Sequence, residues 1–221
     1  MHTIGMPERH VPDIVVARLP LYLRALSALQ LEGHAFISSK ALGERLGIGP
    51  AQIRKDLSLF GDFGRQGKGY EVSVLLARLR EILNIAHEWL MVLVGAGHLG
   101  SAVANYSGFA QRGFRLVAVF DNDPQRIGAR IGEHVVRPAS EMEQFVRAHS
   151  IRLAMIAVPA SAAQAVADVL VHAGVRGILN YAPVTLNVPP GVRVENIDPV
   201  LHLQHMTYYL GEDGDEAIVS S

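Results

Sequence analysis

The sequence predicts an α/β protein in two parts: a winged helix-turn-helix domain, then a Rossmann-type parallel-sheet domain, closed by one last helix. Three observations carry that expectation. Two short helical segments flank a glycine turn at residues 47–49. A glycine-rich stretch bearing cations follows at 61–72. Beyond residue 90, apolar runs alternate with helical patterns, as in βαβ units whose strands are covered on both faces. The boundaries implied are 1–86 and 87–198 for the two domains, 199–211 for the last helix and 212–221 for an acidic tail expected to be disordered.

Composition bounds the chemistry. With 221 residues, 49% of them hydrophobic, and a net charge of -1, the chain has room for two small packed domains. It holds no cysteine, which excludes disulfides, thiolate metal sites and thiol redox chemistry. No uninterrupted apolar run reaches the length of a membrane span, and the N-terminus lacks a secretory pattern, so a cytoplasmic protein without a membrane partner is expected. Charge is uneven. Residues 1–80 hold 11 Lys and Arg against 7 Asp and Glu, and residues 81–221 hold 9 against 14. A basic first part predicts a polyanionic partner there.

In order along the chain, Pro12 and Asp13 open a helix with Leu19, Leu23, Leu26 and Leu29 on one stripe. Pro20 should kink it or start a new helix. Ser38 or Ser39 then caps a helix that buries Leu42 and Leu46. The Gly47–Gly49 turn follows, and Pro50 suits the first position of the next helix. That helix buries Ile53, Leu57 and Phe60 and exposes Gln52, Arg54, Lys55 and Ser58. Two such helices form a helix-turn-helix pattern, and the hairpin after them forms a wing. Ser39, Lys40, Gln52, Arg54, Lys55 and Ser58 on the helices, with Arg65 and Lys68 on the wing, make up the expected DNA-facing set.

An amphipathic helix over 72–85 leads to a strand, MVLV (91–94), and then to Gly95-Ala96-Gly97-His98-Leu99-Gly100. A GxGxxG string alone says little. Here it follows an apolar strand, opens a helix running to about Tyr106, and leads to a second strand, 114–120, that ends at Asp121. Such a turn brings main-chain N–H groups onto a dinucleotide pyrophosphate, and the acid accepts from the adenine ribose. A carboxylate there favours NADH and NAD⁺ over the 2′-phosphorylated forms. Strands at 151–158, 177–180 and 192–197 and helices at 139–149 and 161–174 continue the sheet. Ligands in such sheets bind at the carboxyl ends of the strands. Val158, Pro159, Asn180, Tyr181, Ala182, Pro183 and Asp198 lie there. The last helix, 199–211, is apolar on most sides and should pack into a second subunit.

The order of these parts resembles the Rex family of bacterial redox-sensing repressors. ARLPLYLRAL (17–26), QIRKDLSLFG (52–61), GRQGKGYEV (64–72), VGAGHLGSAVANY (94–106), GILNYAPV (177–184) and VENIDPV (194–200) carry the likeness. The resemblance implies a homodimer that binds palindromic operator DNA and lets go when NADH rises relative to NAD⁺, with the last helix exchanged between subunits. It also implies a redox switch in which Asp198 pairs with Arg18 in the DNA-competent state and accepts from Tyr106 when NADH is bound. His98 occupies a variable place in the fingerprint.

Two other readings use the same motifs. A dehydrogenase would need an acid–base group at the nicotinamide. No lysine follows Lys68, no histidine sits in a recognisable catalytic setting, and no substrate domain is present. A regulator answering to another adenine nucleotide would use the same fingerprint. His202 and His205 share a helical face, but two ligands make no metal site. No enzyme activity and no metal are expected.

Overall fold

The computed structural model describes residues 11–65 and 67–211. The acidic tail expected at 212–221 lies outside them. The chain divides into two compact units between His87 and Glu88.

The first unit contains α1 (Asp13–Leu31), β1 (Phe36–Ile37), α2 (Ser39–Leu46), α3 (Pro50–Ser58), β2 (Gly64–Arg65), β3 (Gly69–Glu71) and α4 (Val72–Ile82). Its core joins Leu19, Tyr22, Leu26 and Leu29 of α1 to Leu75, Leu76 and Leu79 of α4, with Leu42, Ile53 and Leu57 between them. Each buried leucine contributes roughly 1.5–3 kcal/mol, so this stripe holds the unit together. Ser38, not Ser39, caps α2, its Oγ accepting from the Ala41 N–H at 3.1 Å. The hairpin of β2 and β3 is the expected wing, and β1 joins it to give the order β1-β3-β2. A two-residue strand such as β1 carries no periodicity and was not expected.

Pro20 neither ends α1 nor starts a new helix. It lies inside one 19-residue helix, on the solvent side. Its missing N–H costs one hydrogen bond, and the buried residues on either side outweigh that loss. This helix is also long and apolar enough to cross a membrane, although Arg18 and Arg24 interrupt its apolar run. Leu19, Tyr22 and Leu26 are fully buried within the unit. It is a core helix.

The second unit contains β4 (Trp89–Val94), α5 (His98–Ala104), β5 (Phe114–Asp121), β6 (Arg130–Ile131), β7 (His134–Pro138), α6 (Met142–Ala148), β8 (Leu153–Ile156), α7 (Ala160–Ala173), β9 (Gly177–Asn180), β10 (Arg193–Asn196) and α8 (Pro199–Gly211). The sheet order is β10-β9-β8-β4-β5-β7-β6. Six of these strands pair in parallel, and β6 is an antiparallel edge. The sheet is therefore mixed, where a wholly parallel one was expected. The β6–β7 hairpin is short and polar, with Gly132 at its turn, so it left no apolar run to read. One core cluster lies on each face of the central strands.

Candidate nucleic-acid interface and dinucleotide site

In the first unit, Gln52, Arg54, Lys55 and Ser58 are exposed on α3, as its apolar spacing requires, together with Pro50 and Ala51 at its start. Arg54 donates to Ser39 Oγ at 2.9 Å, tying the start of α2 to α3. Lys40 and Lys55 extend into solvent. The exposed Ser58 hydroxyl donates to the Lys55 carbonyl of its own helix at 2.9 Å. On the wing, Arg65 pairs with Glu71 across the strands at 2.9 Å. Lys68 stands 5.9 Å from the centre of the Phe36 ring. Gly69 permits the tight wing, because a Cβ there would collide with the Ile37 carbonyl.

Beneath that surface lies a carboxylate the DNA-facing set did not include. Asp56 is fully buried on the inner side of α3. Arg18 of α1 donates to it twice, Nε to Oδ2 at 2.6 Å and Nη2 to Oδ1 at 2.8 Å. Tyr22 donates its hydroxyl to Oδ2 at 2.6 Å, and Gln52 its amide to Oδ1 at 2.6 Å. Burial opposes ionisation of Asp56, but the hydrogen bonds from Arg18, Tyr22 and Gln52 outweigh it and hold the carboxyl below its ordinary range. Tyr22 shifts upward, first through burial and then through Asp56. Arg18, expected in the redox switch, is thus held in its own unit. The signal in the sequence was an acid inside a basic helix, RKDLS, but its partners Arg18 and Tyr22 lie more than thirty residues away.

In the second unit, Gly95 to Gly97 form the turn between β4 and α5, and His98 to Gly100 open the helix. Gly95 has φ +103°, and a Cβ on it would collide with the Ala157 carbonyl. A Cβ on Gly100 would collide with the Gly95 carbonyl. These two glycines make the turn possible. Gly97 differs, since its Cβ would meet only Arg126 Nη1 at 3.4 Å. Its main chain faces open space where an anion can approach. Ala96 is buried, while His98 and Leu99 are exposed at the first turn of α5.

Asp121 ends β5 beside this turn and is 6% exposed. Its Oδ2 accepts from the Ala96 N–H at 2.6 Å, and its Oδ1 from the Asp123 N–H at 2.8 Å. Arg126 Nη1 lies 3.4 Å from Oδ2. Burial opposes ionisation, but the Ala96 and Asp123 amides and Arg126 overcome it and hold the carboxyl below its ordinary range. Asp121 therefore braces the glycine turn as well as standing where the ribose is expected. Arg126, which the sequence reading missed, flanks both Asp121 and Gly97. Its signal was a cation five residues past the acid.

The other strand ends divide. Val158 packs against Gly95, and Pro159 starts α7. Asn180 is fully buried, its amide donating to Ala182 O, Val184 O and Asn196 Oδ1 while its own oxygen accepts from the Ala182 N–H. Asn180 shapes the loop and leaves Tyr181, Ala182 and Pro183 to line it. Burial raises the Tyr181 hydroxyl. Asp198 caps α8, its Oδ1 accepting from the Val200 N–H at 2.9 Å. Tyr106 is about half exposed, edge-on to Phe109, and its hydroxyl accepts from Arg112 at 3.1 Å. Its position on the surface rules out a core aromatic. A hollow beside it, about 350 Å³, is lined by Phe114, Leu116 and His134 among others. Among the described residues, no group of His, Asp and Glu is placed to hold a metal.

A family model described as "Putative DNA-binding protein N-terminus" matches residues 10–58, and one described as "CoA binding domain" matches residues 86–184. The redox-sensing transcriptional repressor Rex of Roseiflexus sp. (strain RS-1) is 52% identical over 206 residues, covering 93% of this chain and 94% of its own. This chain belongs to the Rex family. The Rex of Brevibacillus brevis is 46% identical, covering 90% of this chain and 97% of its own. A solved structure of RSP in complex with β-NAD⁺ and operator DNA matches with a TM-score of 0.88 at 37% identity, covering 93% of this chain and 95% of that one. RSP in complex with β-NADH matches with a TM-score of 0.84 at 35% identity, covering 93% and 97%. RSP is described as a Rex-family repressor. Rex proteins are repressors, not enzymes, although they share the Rossmann sheet with dehydrogenases.

Proposed function

We propose that this chain is a cytoplasmic, redox-sensing transcriptional repressor whose homodimer binds palindromic operator DNA and releases it when NADH rises relative to NAD⁺. The observation that carries the reading is one chain holding a cationic recognition helix and wing followed by a glycine turn braced by Asp121, in a Rex-family fold. Ser39, Lys40, Gln52, Arg54, Lys55, Ser58, Arg65 and Lys68 serve the DNA. The Gly95–Gly100 turn, Asp121, Val158, Pro159 and the loop from Asn180 to Pro183 serve the nucleotide. NADH and NAD⁺ differ at the nicotinamide, neutral in one and cationic in the other. An apolar lining such as Ala182 and Pro183 favours the neutral ring, and only such differential affinity moves a two-state equilibrium.

The dimer follows from the switch. Asn196, just before Asp198, is level through β9, β8 and β4 with Phe120, near the carboxyl end of β5. Tyr106 lies beside Phe114 and Leu116 at the other end of β5. Strand spacing and rise put these places roughly 19 Å apart across the sheet and about 15 Å along it. A Tyr106 hydroxyl meets an Asp198 only from another copy. The apolar side chains of α8, Val200, Leu201, Leu203, Met206, Tyr208, Tyr209 and Leu210, are all more than half exposed, as an exchanged helix would be in a single chain. Arg18 remains available to Asp198. Its guanidinium has five donors, and Asp56 takes two.

A gel shift with NADH, NAD⁺, ADP-ribose and coenzyme A titrated separately tests the reading. NADH alone should release DNA. Tyr106→Phe should need roughly tenfold more NADH for release with DNA affinity unchanged, the scale of one hydrogen bond to a charged group. Release of the variant at the parent's NADH concentration would remove Tyr106 from the switch.

A further inference from the structure

Gln52 and Asp56 sit one turn apart on α3, one facing out and the other in, and a hydrogen bond joins them. We propose that Gln52 reads an adenine in the operator's major groove, and that Asp56, clamped by Arg18 and Tyr22, is the positioning residue that presets its amide. The proposal rests on the reading of α3 as the DNA-facing helix.

A carboxylate only accepts hydrogen bonds. The side of the Gln52 amide turned toward Asp56 must therefore be its NH₂, which decides the orientation of the whole group. One amide hydrogen goes to Asp56. The second remains beside Oε1, and together they form a donor and an acceptor side by side. Adenine offers the complementary pair, N7 accepting and N6–H donating, a match that no other base presents to an amide so placed. The alternative flip would aim Oε1 at the buried acid, lone pair against lone pair.

The clamp keeps Asp56 itself from turning. Each of its oxygens receives two donors, Oδ2 from Arg18 and Tyr22 and Oδ1 from Arg18 and Gln52. The arginine is held at two points, which sets the plane of the carboxylate. Arg18 and Tyr22 belong to α1, whose Leu19 and Leu26 are fixed in the core. The rotation of α3 about its own axis and the aim of Gln52 are thus referred back to a rigid helix. A glutamine that arrives already aimed loses less side-chain freedom when it meets its base.

The test uses the full chain and a palindromic DNA that it selects from a randomised library. Each half-site position is varied through the four base pairs, and affinity is read by fluorescence anisotropy. Gln52→Leu, an exposed change, should abolish a preference for A·T at one position per half-site, at least about tenfold, and leave other positions alone. Asp56→Asn should erode the same position, and adding it to Gln52→Leu should change that preference no further. Tyr22→Phe removes one donor while keeping the packing, so it should erode that position in part. It carries the test if Asp56→Asn does not fold. An unchanged base profile for Gln52→Leu overturns the proposal. A uniform loss at every position for Asp56→Asn or Tyr22→Phe reduces Asp56 to a structural role and overturns its part. If Lys55→Ala and Lys68→Ala also leave DNA affinity untouched, the DNA-facing reading of α3 fails instead.

Discussion

Each unit buries one carboxylate beside its functional surface, and the two are held in opposite ways. Asp56 in the first unit receives four bonds, all from side chains. Asp121 in the second is held mainly by the main chain, through the N–H groups of Ala96 and Asp123. The DNA-reading unit is therefore organised by residue identity across distant helices. The nucleotide unit is organised by backbone course, which tolerates many side chains but few added atoms. Substitutions should separate the two units by kind as well as by degree.

The largest effect is expected at Asp56. Asp56→Ala leaves the Arg18 guanidinium without its buried partner and should destabilise the first unit by about 3–5 kcal/mol. Asp121→Ala frees two backbone N–H groups, of which only that of Ala96 is fully buried, and should cost the second unit only about 1–3 kcal/mol. Amide hydrogen exchange on α1 and α3 against β4 and β5 reads the units separately. Equal losses would erase the contrast. Acid sharpens it. Both carboxyls titrate below their ordinary range when folded. Each thus stabilises the fold above its unfolded value, near pH 4, and loses that contribution as pH falls through the lower folded value. Asp56→Asn should flatten the acid limb of the stability curve of the first unit and leave that of the second unchanged.

A middle-sized effect is expected in the glycine turn, where fold and ligand come apart. Gly97→Ala should leave thermal stability within about 1 kcal/mol, the ordinary range for a surface change, because only the end of Arg126 stands near the new methyl. NADH affinity, measured by calorimetry, should fall at least about tenfold, since a methyl would sit where pyrophosphate meets backbone. Gly100→Ala should lose both stability and binding, for its methyl meets the Gly95 carbonyl. Asp121→Ala should weaken NADH by roughly tenfold or more and narrow its advantage over NADPH. Undiminished NADH binding by Gly97→Ala would place the pyrophosphate elsewhere.

The same contrast explains what the sequence disclosed. The glycine turn was legible because its requirements are local: the strand, the glycines and Asp121 all fall between residues 89 and 121. The helix-turn-helix was legible from Pro50, the Gly47–Gly49 turn and the spacing of Ile53 and Leu57. The clamp was not, since Arg18 and Asp56 are 38 residues apart and no spacing rule links them. Pro20 starts no new helix, although local propensity argues for one, because the tertiary contacts of Leu19 and Tyr22 on either side carry α1 through it. The β6–β7 hairpin left no trace because β6 is a two-residue edge strand and only Val136 of β7 is buried, too little for a periodic apolar pattern. Arg126 escaped because a cation near an acid has many innocent explanations on a surface.

The smallest effect separates two cations on the wing that the sequence treats alike. Arg65 faces Glu71 at 2.9 Å, whereas Lys68 stands by the Phe36 ring. Each phosphate contact contributes roughly 0.9 to the slope of log affinity against log salt. Lys68→Ala should therefore flatten that slope by about one unit and weaken binding across all DNA sequences. Arg65 shares its charge with a carboxylate, and an exposed pair of this kind is worth only about 0–1 kcal/mol in stability. Arg65→Ala should flatten the slope by about half as much, because Glu71 already offsets part of the arginine's charge. Glu71→Gln supplies the control: freeing Arg65 should steepen the slope toward that of two full contacts. If Arg65→Ala and Lys68→Ala prove equal and Glu71→Gln has no effect, the cross-strand pair opens on DNA, and side-chain pairing on the wing does not carry over into the complex.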